Sequence, residues 1–336
     1  MVDQKTIAEK AGVSRATVSR AFTQNANISP KTLAKIQRAM SDLGVPPLVW
    51  LPTEARKKTK YVLVIAGDIS NYFFSMVIKG ICDRLQSLGL MPVVCNSNYN
   101  SEIEEHQIEY ADNNDFLGII FVTAMEHPTL SALLHKIRTP VVFVNRYIHS
   151  FETDTVCIDN YRGGYMAAQH LVEKGHRKIA HIASYRGSTP QEDRIRGFTA
   201  AIQDNLTPGT YQYDVHYGES SLERGRRIAR KLIERKLPCT ALFVADCQVA
   251  IGIVYTLQEL GYKVPDDLSI LCFDDSPYIN ENGLRLSTIN YDPFPMGQMA
   301  VDLLMQRLDT GTGSISHVDL MPQLLIRGSV KDMHEE

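Results

Sequence analysis

From Tyr61 onward, short runs of aliphatic and β-branched residues return at regular intervals, each separated from the next by an amphipathic stretch. YVLVIAG, MPVVC, LGIIFV and PVVFVN form a first series, and the pattern predicts helices between them at about residues 73–88, 101–114 and 129–137. A helix over about 161–174 opens a second series, KIAHIA, YDVHY, ALFVA and LSILCF, with helices at about 191–204, 219–235 and 247–260. Short unbroken apolar runs belong to strands buried on both faces, and strands regularly separated by helices specify parallel βαβ units. The two series predict an α/β body of two doubly wound parallel-sheet subdomains. Ligands on such sheets bind outside the carboxyl ends of the strands, so a cleft between the subdomains is the expected site.

The first sixty residues follow the helical period instead. Asp3 can cap a helix over Gln4–Ala11 whose apolar stripe is Ile7, Ala8 and Ala11. Gly12 and Val13 turn the chain, and Ser14 caps a second helix running from Arg15 to about residue 22. Ser29 and Pro30, a cap followed by an N1 proline, open a third helix through Ile36 and Met40 to Leu43, with Gly44 as its stop. The step from Ala8 to Gly12, with Val13 and Val18 as core contacts, has the spacing of a helix-turn-helix, whose second helix enters the DNA major groove. Charge agrees: residues 1–60 hold 11 Lys+Arg against 4 Asp+Glu, net +7, whereas the rest holds 24 against 34, net −10. A basic head on an acidic body is the distribution expected when the head meets a polyanion.

The segment AGVSRATVSRAF, with the S-P-K-T helix opening downstream, resembles the lactose/galactose repressor family. The resemblance implies that Arg15, Ala16 and Arg20 face the bases: the arginines as bidentate forks to guanine, Ala16 against a thymine methyl. Ser14, Thr17 and Ser19 suit phosphates, helped by the helix N-terminus, and Lys31 suits a sequence-independent contact. For Thr17, packing within the head is the alternative. Residues 45–60, VPPLVWLPTEARKKTK, carry three prolines, the only Trp and a basic run, and so form a connector. The family places a hinge helix here, with a leucine wedged into the minor groove. This chain departs: Glu54 falls where the leucine is expected, Leu48 replaces the helix-starting asparagine, and Pro52 interrupts the helix. Trp50 and Leu51 are the apolar wedges available, with packing onto the body as the alternative.

Further motifs, GHRKIAHIA (175–183), EDRIRGF (192–198), VPDDLSILCFDD (264–275) and LLIRGS (324–329), extend the resemblance over the whole chain. They imply a periplasmic-binding-protein-like body behind a small all-α helix-turn-helix head. The implied domains are 1–44 for DNA, 45–60 as hinge, and 61–336 for effector and dimerisation. Residues 61–160 plus 291–322 make one subdomain, and 161–290 plus the C-terminal strand make the other. By position, Arg194, Asp274 and Asn145 hydrogen-bond the effector, and a donor opposite an acceptor suits the vicinal hydroxyls of a sugar. Asn71, Tyr72 and Phe73 follow the first strand at the cleft mouth, where an aromatic could lie over an apolar ring face. Asp246 replaces a family asparagine and Ser220 a stacking aromatic, which favours a polar or amine-bearing ligand unless Tyr185 or Tyr217 supplies the ring. Arg146 and Arg196 are assigned to surface or inter-helix pairing, and His176 and His181 to turn and strand structure. Asp266-Asp267 reads as a loop cap, and Asp274-Asp275 as a strand-end ligand contact.

The implied function is a sequence-specific DNA-binding transcriptional regulator, a repressor, controlled by a small sugar-like effector. Its partners are a pseudo-palindromic double-stranded operator and a second copy of the chain, paired through the body with the helix at 73–88 contributing. Six cysteines without a C-x-x-C pair predict packed thiols and neither metal nor cofactor. G-x-S-x-G, P-loop and dinucleotide fingerprints are absent, so a sugar-processing enzyme ranks below a regulator controlled by metabolite or by a partner protein. The N-terminus has no apolar h-region and no stretch approaches a membrane span, so a cytoplasmic protein without membrane insertion is expected.

Overall fold

The structure, a computed structural model, describes residues 4–21, 28–43, 60–281, 284–311 and 314–334. The chain divides into two compact units, Met1–Lys58 and Thr59–Glu336. In the first, α1 (Gln4–Ala11), α2 (Arg15–Ala21) and α3 (Pro30–Asp42) close on Ile7, Ala8, Val18, Leu33, Ile36 and Met40. Gly12 turns the chain at φ +65°, in the left-handed region that a side chain disfavours. Ser14 Oγ then accepts the Thr17 N–H at 3.1 Å, and Ser29 Oγ accepts that of Thr32 at 3.2 Å, so each helix start has one orphan donor satisfied. The expected roles of Asp3 and Gly44 fall outside the described residues.

The second unit begins β1 (Tyr61–Ala66), α4 (Tyr72–Ser87), β2 (Met91–Asn96), α5 (Ser101–Asn113), β3 (Gly118–Phe121), α6 (Pro128–Leu134) and β4 (Val141–Val144). It continues β5 (Asp154–Ile158), α7 (Asn160–Glu173), β6 (Lys178–Ile182), α8 (Thr189–Asn205), β7 (Gln212–His216), α9 (Leu222–Glu234) and β8 (Ala241–Val244). It ends with α10 (Cys247–Glu259), β9 (Ser269–Phe273), α11 (Pro277–Glu281), β10 (Ser287–Asn290), α12 (Pro293–Thr310), β11 (His317–Leu320) and β12 (Gln323–Leu325). Two six-stranded sheets result, ordered β11-β5-β4-β3-β1-β2 and β12-β10-β9-β8-β6-β7. Every pairing between these strands is parallel except β10 with β12. The chain passes to the second sheet after β5, returns between β10 and α12, and crosses once more between β11 and β12.

Central strands such as β3, β4, β8 and β9 are buried at every position, as their apolar runs require. The apolar runs miss β5, β10, α12 and the two C-terminal strands. β5 is equally buried but carries Asp154 and Thr155, and the Asp154 carboxylate is matched by the Ser316 N–H at 2.8 Å and by Arg307. A polar residue whose partner lies far along the chain hides a strand from a hydrophobicity pattern.

Three helix pairs, α4 with α12, α7 with α8 and α9 with α10, are drawn together by facing glycines. A Cβ on Gly164 of α7 would stand 2.1 Å from the Arg194 carbonyl oxygen, and one on Gly197 of α8 1.9 Å from that of Tyr161. Gly80 with Gly297, and Gly225 with Gly252, repeat the device. The α7–α8 contact sets the depth at which Arg194 enters the body. Gly197→Ala should therefore destabilise the fold by about 1–3 kcal/mol, the usual cost of forcing volume into a packed contact. Urea unfolding checks this as a lower midpoint at unchanged slope.

Candidate functional site

A cavity lies where the carboxyl ends of the two sheets face each other. Asn71, Phe73, Asn145, Arg194, Ser220, Asp246 and Asp274 all line it, so seven residues from distant parts of the sequence converge. Arg194, on the second turn of α8, is buried with its guanidinium carbon 3.3 Å from the centre of the Phe273 ring. Its Nε donates to Asn160 Oδ1 at 2.8 Å and its Nη1 to the Ala245 carbonyl at 3.1 Å. Asp246 and Asp274 supply nearby negative charge.

The two carboxylates differ. Asp246 Oδ1 accepts the N–H groups of Gln248 (2.9 Å) and Val249 (3.2 Å), capping α10, and Ser220 donates a side-chain hydrogen bond to the same carboxylate. The residue read as an extra ligand acceptor thus spends part of its accepting capacity on the protein. Asp274, at φ +71°, ends β9 and accepts the Tyr291 hydroxyl at 2.7 Å through Oδ1. Burial pushes its carboxyl up to about 6 against the pull of Arg194 and Tyr291. Its neighbour Asp275 is no ligand contact. Arg327, from the LLIRGS motif, grips it bidentately at 2.9 and 2.8 Å.

Other readings change on the first lobe. Tyr72 does not line the cavity: its ring packs edge-on against Tyr278, centroids 6.1 Å apart. Asn71 Oδ1 is spent on capping α4, accepting from Phe73 N at 2.9 Å. Two aromatic rings line the cavity, Tyr99 and Tyr185, and they meet at 5.5 Å across the lobes. Tyr99 fits because position 67 is glycine, where a Cβ would sit 2.3 Å from the ring. Tyr217 lies elsewhere, under the Arg186 guanidinium. Arg146 is not a surface residue; it is 5% exposed and lines the cavity. No hydrophobicity pattern marks it, because it follows a strand as any loop arginine might. Arg196 is exposed and paired with Asp193 at 2.9 Å.

His181 is packed between Phe198 and Phe243, and burial lowers its pKa to about 3. His176 is likewise held neutral by burial, at about 4, with Nδ1 2.9 Å from Thr240 Oγ1. Asp267 caps its loop by accepting the Lys263 N–H at 2.8 Å. Among the described residues no group of His, Cys, Asp and Glu is placed to hold a metal ion.

On the head, Ser14, Arg15, Ala16 and Ser19 lie on the exposed side of α2, opposite Val18, and Lys31 is exposed at the start of α3. Thr17 is half-buried, with its hydroxyl 2.7 Å from Ser14 Oγ, so it shares in the cap. Arg20 lies on α2. Trp50, Leu51 and the departures at Leu48, Pro52 and Glu54 fall outside the described residues.

Residues 5–47 match the model of bacterial regulatory proteins of the lacI family, and residues 168–330 match that of a periplasmic binding protein-like domain. The HTH-type transcriptional regulator DegA of Bacillus subtilis is 34% identical over 98% of both chains. Catabolite control protein A of Priestia megaterium is 28% identical, over 97% of this chain and 98% of its own. Among solved structures, a transcriptional regulator CelR–cellobiose complex matches at TM-score 0.72 and 25% identity, covering 98% of this chain and all of that one. A LacI family regulator from Enterococcus faecium with bound ribose matches at TM-score 0.71 and 26% identity, covering 81% and 99%. With its helix-turn-helix head, its paired parallel sheets and a relative this similar from end to end, the chain belongs to the LacI family of bacterial transcriptional regulators.

Proposed function

We propose that this chain is a repressor whose homodimer binds a pseudo-palindromic operator in the cytoplasm and responds to a small sugar-like effector in the cavity between the lobes. The observation that carries the reading is the buried Arg194 guanidinium set beside Asp274 where the two sheets face each other. A donor and an acceptor fixed at that point match a polyhydroxyl ligand. Relatives solved with cellobiose and with ribose support the same ligand class. Residues 1–44 serve as the DNA-binding domain, 45–60 as the connector, and 61–336 as the sensor. The sensor regulates and catalyses nothing. No described helix is long and apolar enough to cross a membrane. The dimer contact falls on α4 and β2, where Leu88, Met91 and Val94 leave apolar surface exposed.

In the head, Arg15 and Arg20 read guanines, Ala16 contacts a thymine methyl, and Ser14, Thr17, Ser19 and Lys31 hold phosphates. Trp50 and Leu51 act as minor-groove wedges. In the sensor, Asn145, Arg194 and Asp274 hydrogen-bond the effector, with Phe73 as an apolar wall and Asn71, Ser220 and Asp246 holding the frame.

Arg20→Ala should cost about 1–3 kcal/mol per half-site and relax base preference, whereas Lys31→Ala should weaken all sequences alike. Mobility-shift titrations on specific and random duplexes separate the two; equal loss on both duplexes for both variants would refute the roles. Effector affinity, followed by calorimetry with a set of monosaccharides, should fall as pH drops through about 6, because protonated Asp274 no longer accepts as a carboxylate. Arg194→Ala should lose the binding at every pH, and Asp274→Asn should flatten the pH profile.

A further inference from the structure

Every buried arginine in a well-packed protein needs its donors met and its charge balanced, because an uncompensated ion in a low-dielectric interior is costly. Arg194 satisfies this through Asn160, the Ala245 carbonyl and two neighbouring carboxylates. Arg224 donates to the carbonyls of His216 and Glu219, Arg307 pairs with Asp154, and Arg327 pairs with Asp275. Arg146 is the exception among the described residues.

Its place is fixed by a tight turn after β4. Asn145 takes a left-handed φ of +66°, and the Arg146 N–H returns to the Val144 carbonyl at 2.7 Å. The side chain then enters the cavity wall at 5% exposure. Only Nη1 finds acceptors, and both are poor: the Thr123 carbonyl at 3.4 Å and the Met125 thioether at 2.9 Å. Nε is buried without a partner, and among the described residues the hydrogen bonds of the side chain come from Nη1. No carboxylate forms an ion pair with it. Its strongest attraction is to Tyr99, whose ring centre lies 5.6 Å from the guanidinium carbon, and the carboxylate it feels most is Glu104, whose own carboxyl burial pushes up to about 7 and whose Oε1 is held by Ser97 Oγ at 2.8 Å. Nε and Nη2 share one edge of the guanidinium, and the two parallel N–H groups of that edge match a planar anion.

We propose that the cavity is built for a carboxylate-bearing sugar, a uronic or aldonic acid, with its carboxylate forked on the Nε–Nη2 edge of Arg146. This rests on reading the cavity as the effector site, and it names the effector's class. The carboxylate lies toward the first lobe. The hydroxyls meet Arg194 and Asp274 on the second lobe, and Tyr99 and Tyr185 stand between. A phosphate ester fits less well, since a dianion would face Asp68, Asp246 and Asp274 across the same small space with one unpaired arginine to meet it.

The test uses the full-length protein and matched ligands: glucose with glucuronate, gluconate and glucose 6-phosphate, and galactose with galacturonate, galactonate and galactose 6-phosphate. Calorimetry should show at least one sugar acid binding about ten-fold or more tightly than its neutral parent. Arg146→Gln should erase that advantage, so that within the variant the acid binds no more tightly than its neutral parent. Arg146→Lys, which keeps the charge but not the fork, should retain only part of it. Arg196→Gln, on an exposed residue, should change neither, and operator binding by each variant confirms that it folds. The proposal fails if a neutral sugar or a phosphate ester binds as tightly as the acid, if Arg146→Gln keeps the acid's affinity, or if no acid binds at millimolar concentration. A neutral sugar that binds as tightly as every acid and is lost in Arg194→Ala would overturn the anion assignment alone. Binding of no carbohydrate at all would bring down the effector reading as well.

Discussion

The body is organised around the burial of one guanidinium. Placing Arg194 against the face of Phe273, with almost no solvent, requires acceptors and counter-charge, and each comes from a different element: the acceptors Asn160 at the start of α7 and Ala245 at the end of β8, and the negative charge of Asp246 at the cap of α10 and Asp274 at the end of β9. Those elements can converge only because parallel strands end together on one edge of the sheet. The close approach of α7 to α8 is part of the same demand, since a wider separation would draw Arg194 away from Asn160.

Around that centre the side chains divide their work. Asp246 and Asn71 look like ligand groups in the sequence because they stand at strand ends, yet both spend an oxygen on holding a helix start. They fix the positions of α10 and α4 relative to the cavity, which Arg194, Asp274 and Arg146 also line. A polar side chain beside a cavity is thus a ligand contact only for the valences its own backbone has not already taken.

Much of this was legible in the chain. The alternation of apolar runs and amphipathic stretches predicted the two doubly wound sheets, and the head's caps and apolar stripe predicted three helices whose observed bounds differ by a residue or two. Arg194 and Asp274 were reached by position within motifs, Asn145 and Phe73 by their places after strands, and all four line one cavity. What remained hidden depends on partners distant in sequence. β5 needs Arg307 and Ser316 to bury Asp154, Asp275 needs Arg327, and Tyr72 turns to Tyr278 instead of the cavity. Arg146 was invisible for the opposite reason: its distinguishing property is a buried Nε left without a partner, which no local pattern encodes.

The three passages of the chain between the lobes place the cavity at a fulcrum. Asn160 begins α7 just after the first passage, and Tyr291 sits within the second, so two residues that touch the central network are themselves part of the connecting segments. A displacement at these segments is multiplied by the length of the lobe on which it acts. The network around Arg194 therefore stands at the short arm of a lever whose long arms are the two lobes.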